Sequence, residues 1–135
     1  MKSKLETSVK FLDAIKAFVS KNEPSHYPWI GNQWFKCRQM EVYLRRSRRV
    51  VGDGLVWVID IANVGVKTKG KGVYSDFLEF IEVVAISVDT CNGLFIENIL
   101  DEKQVDLYER RGYVKIEEFW PGCWSMIKIL KRETK

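Results

Sequence analysis

Along residues 8–19 the apolar side chains Val9, Phe11, Leu12, Ile15, Phe18 and Val19 recur at steps of three and four, with lysines and Asp13 between them. That period predicts an amphipathic first helix. Residues 22–33 hold Pro24, Pro28 and Gly31 and read as a loop or short helical turn. Residues 34–51 and 55–66 are rich in β-branched and aromatic side chains, and Gly52-Asp53-Gly54 between them supplies turn chemistry, so antiparallel strands are expected. In the second of these stretches Val56, Val58, Asp60, Ala62 and Val64 alternate with Leu55, Trp57, Ile59, Ile61 and Asn63. Both faces are mostly apolar, as in a central strand.

The second half begins with a glycine loop, residues 67–72. After it, Val73, Phe77, Leu78, Phe80, Ile81, Val84 and Ala85 form a broad apolar face opposite Ser75, Asp76, Glu79 and Glu82, which predicts a helix. Asn92-Gly93 turns into a strand over 94–99. Asp101 is placed to cap a helix from Glu102 to about Arg111, which Gly112 ends. Residues 113–119 and 123–130 read as two strands joined through Trp120-Pro121-Gly122. The expected fold class is α+β: a mixed, mainly antiparallel central sheet flanked by helices, built as one domain over residues 1–135.

Composition narrows the class. With 135 residues, 46% of them apolar and 13% aromatic, the chain has material for one core. No run reaches the roughly 18 apolar residues of a membrane span, and the charged start does not resemble a secretion signal. Cys37, Cys91 and Cys123 are odd in number and widely spaced, and His26 is the single histidine, so neither a disulfide framework nor a metal site is expected. This usage fits a reducing cytoplasm. The net charge of +4 is compatible with an anionic ligand and does not demand nucleic acid.

The first chemical pattern is Lys67-Thr68-Lys69-Gly70-Lys71-Gly72, set between a buried strand and the strongest helix. Unpaired backbone N–H groups at a helix start, the helix dipole and glycines that admit close approach suit a phosphate; lysines add charge. An ordinary solvated turn has the same ingredients. No Gly-Lys-Ser or Gly-Lys-Thr follows, and the dinucleotide pattern G-x-G-x-x-G is absent. The second pattern is Asp101-x-x-x-Val105-x-Leu107-Tyr108-Glu109-Arg110-Arg111-Gly112-Tyr113.

Together, in this order, the two patterns resemble the GNAT N-acetyltransferases over residues 55–130. In that family a loop Arg/Gln-x-x-Gly-x-Gly/Ala binds the coenzyme A pyrophosphate; here Lys67 takes the first place and keeps a cation without arginine's planar fork. Asp101 stands where the family commonly has asparagine. The resemblance implies acetyl-CoA as cofactor, held by Val64, Val66, Lys67, Lys69, Gly70, Lys71, Gly72 and Asn98. It implies transfer of the acetyl group to an amine by direct attack, with Tyr108 as the acid that protonates the departing thiolate. A phenol ionising near 10 suits that task, although a tyrosine there can also simply pack. An oxyanion would meet a backbone N–H within residues 63–66. A carboxylate or an ordered water must take the amine's proton, and Asp60, Glu97 and Asn98 are the candidates near it; Asp60, embedded in an apolar strand, would have a raised pKa, and it can equally be a paired structural acid.

Arg45, Arg46, Arg48 and Arg49 form a dense basic run, read either as a solvated strand edge or as a docking surface for an acidic macromolecule, protein or nucleic acid. The latter belongs to the alternative function, a GNAT-shaped binding protein with little or no catalysis. Tyr27, Trp29, Trp34, Trp120 and Trp124 could wall an acceptor site, with core packing expected for most. Homodimer pairing through sheet edges is compatible with the architecture. The acceptor amine, small molecule or protein, is left open.

Overall fold

The computed structural model describes residues 9–21, 29–52, 54–67, 72–88 and 91–130. Three helices and six strands follow in the order α1 (Val9–Lys21), β1 (Trp29–Lys36), β2 (Met40–Val51), β3 (Gly54–Val66), α2 (Val73–Ser87), β4 (Gly93–Ile99), α3 (Glu102–Arg110), β5 (Val114–Trp120) and β6 (Cys123–Ile129). The strands make one sheet in the order β1-β2-β3-β4-β6-β5. Only β3 and β4 run parallel, joined by the crossover through α2; every other neighbouring pair is antiparallel.

Two differences from the sequence reading exceed a single residue at a strand end. Residues 29–33, expected as loop, already belong to β1. The stretch 34–51 is not one strand but two, because Cys37 N–H donates to Met40 O (2.9 Å) and turns the chain back between Lys36 and Met40. No glycine or proline marks that turn, so periodicity ran straight through it.

Alternation along the strands sorts side chains into two layers. Val42, Leu44, Ile59, Ile61, Leu94 and Ile96 face the helices and join Phe11, Ile15, Phe18, Phe77, Leu78, Ile81, Val105 and Tyr108 in one core. Val58, Phe95 and Ile127 face the other way and form a smaller cluster. No helix among the described residues is long and apolar enough to cross a membrane.

Three local features shape the region that follows. In the β2–β3 ladder Tyr43 pairs with Asn63 but Leu44 with Ile61, so Ala62 is an extra residue, a bulge. The parallel β3–β4 ladder ends at Ile61–Ile96 although β3 runs on to Val66 and β4 to Ile99. The β4–β6 register shifts between Ile96 and Ile99, where Asn98 takes a left-handed backbone at φ 58°. Beyond the bulge, therefore, β3 and β4 splay apart at their C-terminal ends.

Candidate active site

The splay opens a cleft of about 500 Å³. Its walls come from β3 (Asn63, Val64, Val66), β4 (Glu97, Asn98), Lys67 and the facing helices (Tyr74, Tyr108). The β4-facing backbone of β3 beyond Ile61 has no partner in the β3–β4 ladder, which leaves polar groups for a ligand lying between the strands. At one end, Lys67 N–H donates to Gln39 O (2.8 Å) and fixes where the glycine loop leaves the sheet. The loop delivers Gly72 to the N-cap of α2 in a left-handed conformation (φ 76°), with no side-chain cap on the first turn. Unpaired backbone N–H groups at a helix start are donors of the kind a phosphate accepts from. Lys69, Gly70 and Lys71 lie outside the described residues, as do His26 and Tyr27.

Tyr108 reaches the cleft through the end of α3. Asp101 caps the helix start by accepting from Lys103 N–H (2.9 Å), as the sequence implied. At the other end Tyr113 N–H donates to Tyr108 O (3.0 Å) and Gly112 N–H to Glu109 O (3.0 Å), with Gly112 at φ 97°. This is the Schellman closure, which requires a residue tolerant of positive φ at that place. The Tyr113 hydroxyl donates to Glu82 on α2 (3.1 Å), so it is committed away from the cleft. The Tyr108 and Tyr74 hydroxyls instead meet at 2.6 Å. Burial pushes Tyr108 up to about 12, offset in part by the hydrogen bond shared with Tyr74. The phenol is thus a weaker acid than the value near 10 expected from sequence.

Asp60 is wholly buried, on the sheet face opposite the large core and outside the cleft lining. Its Oδ2 accepts from Arg49 and, at 3.3 Å, from Arg45. Glu97, which does line the cleft, accepts from Arg45 and, at 3.0 Å, from Arg49. The Arg49 guanidinium also lies 4.1 Å from the Phe95 ring centre. Burial, then the negative Glu97, pushes Asp60 up to about 8 against the pull of Arg49. Burial raises Glu97 too, but the neighbouring Asp60 and the two arginines outweigh it, so its pKa is lowered. Of the two carboxyls, Asp60 is the one that keeps its proton to higher pH.

That proton links stability to pH. An aspartate in the unfolded chain loses its proton near pH 4, while folded Asp60 keeps it until about 8. Between these values the native state binds more protons, so stability falls as pH rises. An Asp60→Asn variant lacks the term. In urea unfolding, wild type should therefore lose more than about 1 kcal/mol relative to Asp60→Asn between pH 5 and pH 8.5; a constant difference would mean Asp60 is ionised throughout.

The arginine run does not form one basic surface. Because strand residues alternate, Arg46 points into the core with no exposure, donating to Val19 O (2.9 Å) and Val58 O (3.3 Å). Arg45 and Arg49 point to the other face and pair with the carboxylates, and Arg48 lies over Trp57. Both sequence readings, a solvated edge and a four-arginine docking surface, fail at Arg46. Core packing fails for Trp34, which is 45% exposed against Tyr43, and for Trp120, 65% exposed; Trp124 is half-buried against the core. The residues that sequence reasoning passed over are Tyr74, Glu41 and Gln104, all on the cleft wall. Tyr74 carried a usable signal: it is a tyrosine in the first turn after the glycine loop.

No protein-family model and no curated protein matches the chain. Solved structures match in fold. Arabidopsis thaliana NAA60 in complex with a bisubstrate analogue gives a TM-score of 0.55 at 11% identity, covering 83% of this chain and 73% of that one. The KacTA–DNA complex gives 0.53 at 15% identity, covering 87% and 80%. The AtaT toxin mutant bound to the C-terminus of the antitoxin AtaR and acetyl-CoA gives 0.50 at 12% identity; the match covers 68% of this chain and only 59% of that protein's length. At such identities the likeness is one of fold, and the architecture is GNAT-like α+β.

Proposed function

We propose that this chain is an acetyl-CoA-dependent N-acetyltransferase that moves the acetyl group to an amine by direct attack. The observation that carries the reading is the splay of β3 from β4, which opens one cleft reaching from Lys67 and from Tyr74 in the first turn of α2 to Tyr108 and Glu97. A thioester cofactor with a long polar arm needs those parts in that order.

Bound acetyl-CoA would supply an activated acyl group on a thiolate leaving group. The α2 N-terminus at Gly72, with Lys67 and the lysines of the loop, would take the pyrophosphate. The backbone of β3 from Asn63 to Val66 would hydrogen-bond the pantetheine arm, with an N–H there facing the developing oxyanion. Asn98 would complete the β4 wall. Glu97, ionised and in the cleft, would hold the acceptor ammonium and take its proton, with Asp60 behind it as the second member of the pair. Tyr108 would donate to the leaving sulfur. Against the alternative, a non-catalytic protein docking through its arginines, stand the burial of Arg46 and the pairing of Arg45 and Arg49.

Titration calorimetry with acetyl-CoA tests the reading. Wild type should bind saturably, and Gly72→Glu, which sets a carboxylate at the α2 N-terminus, should weaken binding about a hundredfold or more while circular dichroism shows the fold intact. A folded wild type that does not bind acetyl-CoA overturns it.

A further inference from the structure

Tyr108 cannot be understood alone, because its hydroxyl is 2.6 Å from that of Tyr74 and both side chains line the cleft. Two hydroxyls in contact share one hydrogen bond, so one of them donates and the other keeps its own proton for a different partner. The rings fix this arrangement. Tyr74 stacks on Phe77 (6.1 Å between centres, 12° between planes) and meets Tyr108 edge-on at 89°. Tyr108 in turn meets Tyr113 at 5.5 Å. Four aromatic rings on α2, α3 and the start of the closing hairpin thus hold the two hydroxyls together, while Tyr113 is occupied by Glu82.

We infer that Tyr74 is the positioning residue of the acid: its hydroxyl donates to the Tyr108 oxygen, so that the Tyr108 proton points into the cleft. The inference rests on the acetyltransferase reading. When the carbon–sulfur bond breaks, its electron pair stays on sulfur and the Tyr108 proton moves there. The negative charge left on the Tyr108 oxygen is then held by the Tyr74 O–H, and Tyr108 is reprotonated from water. The proton lost by the amine leaves separately, through Glu97.

At 2.6 Å either hydroxyl has the geometry to donate to the other. The shared hydrogen bond lowers Tyr108 and raises Tyr74, which burial already places well above the ordinary tyrosine value. With the bond in that direction Tyr108 ionises first, and Tyr74 keeps a proton to give. Among the groups packed nearby, the Tyr108 and Tyr113 hydroxyls raise Tyr74 and Arg111 lowers it.

The test reads the hydrogen bond itself. 3,5-Difluorotyrosine is more acidic than tyrosine; placed at position 108 it brings the titration into a range where the protein stays folded, and fluorine NMR follows that one ring. Tyr74→Phe removes a single oxygen and keeps the ring stack. The expected result is an apparent pKa at position 108 higher by about one unit in Tyr74→Phe, a tenfold shift. An unchanged or lower value overturns the inference. A second comparison needs no deletion: the same label at position 74, in a protein otherwise unaltered, should ionise at higher pH than at position 108, and the reverse order overturns the inference. On turnover, Tyr74→Phe should lower kcat roughly ten- to a hundredfold with the acetyl-CoA dissociation constant nearly unchanged. Full turnover by Tyr74→Phe in a protein that binds acetyl-CoA overturns the positioning role and leaves the acetyltransferase reading standing. Absence of acetyl-CoA binding, with a fluorine signal at position 108 that the cofactor does not move, fails that reading instead.

Discussion

Replacing Tyr108 with phenylalanine should reduce kcat by about a hundredfold to a thousandfold, the usual worth of a positioned proton donor. The dissociation constant for acetyl-CoA should barely change, because the ring, its contacts with Tyr74 and Tyr113 and the Schellman closure of α3 all survive the loss of one oxygen. That split between rate and binding marks an interaction made only in the transition state. The high pKa, about 12, sets how the acid works. A thiol in water ionises near 8.5, so full transfer from such a phenol would run uphill there. Inside the cleft a naked thiolate is itself disfavoured, and burial raises its proton affinity as it raises that of Tyr108. On the proposed reading Tyr108 would begin as a hydrogen-bond donor to the developing charge and complete the transfer as the bond breaks. It also stays protonated at every physiological pH, so no basic limb of the rate below about pH 11 should trace to it. Steady-state release of coenzyme A, with an amine that the wild type accepts, measures the effect; unchanged kcat would place the acid elsewhere.

Much of the fold was legible because its signals are local. Val73 to Ser87 announces itself by apolar period and by the glycine before it, and α3 by Asp101 at one end and Gly112 at the other. The cleft was legible only by resemblance, since what makes it is a pairing defect. Nothing in the composition of Ile61-Ala62-Asn63 says that Ala62 will have no partner on β2, and nothing in Glu97-Asn98 announces the register shift opposite β6. Both depend on strands distant in sequence. Charge was the poorest guide. A run of arginines on a strand reads as surface, yet alternation must send some of its members inward, and here Arg46 meets the end of a helix while Arg45 and Arg49 meet carboxylates on β3 and β4. Asp60 looked like a candidate base for being a charge in an apolar strand; the same fact made it a partner for those arginines.

Arg46→Ala should destabilise the protein by about 3–5 kcal/mol, the largest stability effect expected from a single side chain in the sheet. Arg46 is fully buried, and its Nη1 donates at 2.9 Å to Val19 O in the last turn of α1. Carbonyls there have no partner within the helix and lie at the negative end of its dipole, so a guanidinium from the sheet satisfies them and holds α1 against β2. A second bond runs from its Nε to Val58 O at 3.3 Å, tying the same side chain to β3. Alanine removes these donors and leaves a cavity the size of a long side chain, and the two costs add. Arg46→Met separates them: it fills most of the space and removes the expense of a buried cation, but leaves the carbonyls unsatisfied, so it should cost markedly less than alanine. Urea unfolding measures both variants, and hydrogen exchange should show protection lost first in α1. A cost for Arg46→Ala below about 1 kcal/mol would mean that the guanidinium sits in water, and would return the whole arginine run to the surface as a basic face for a partner.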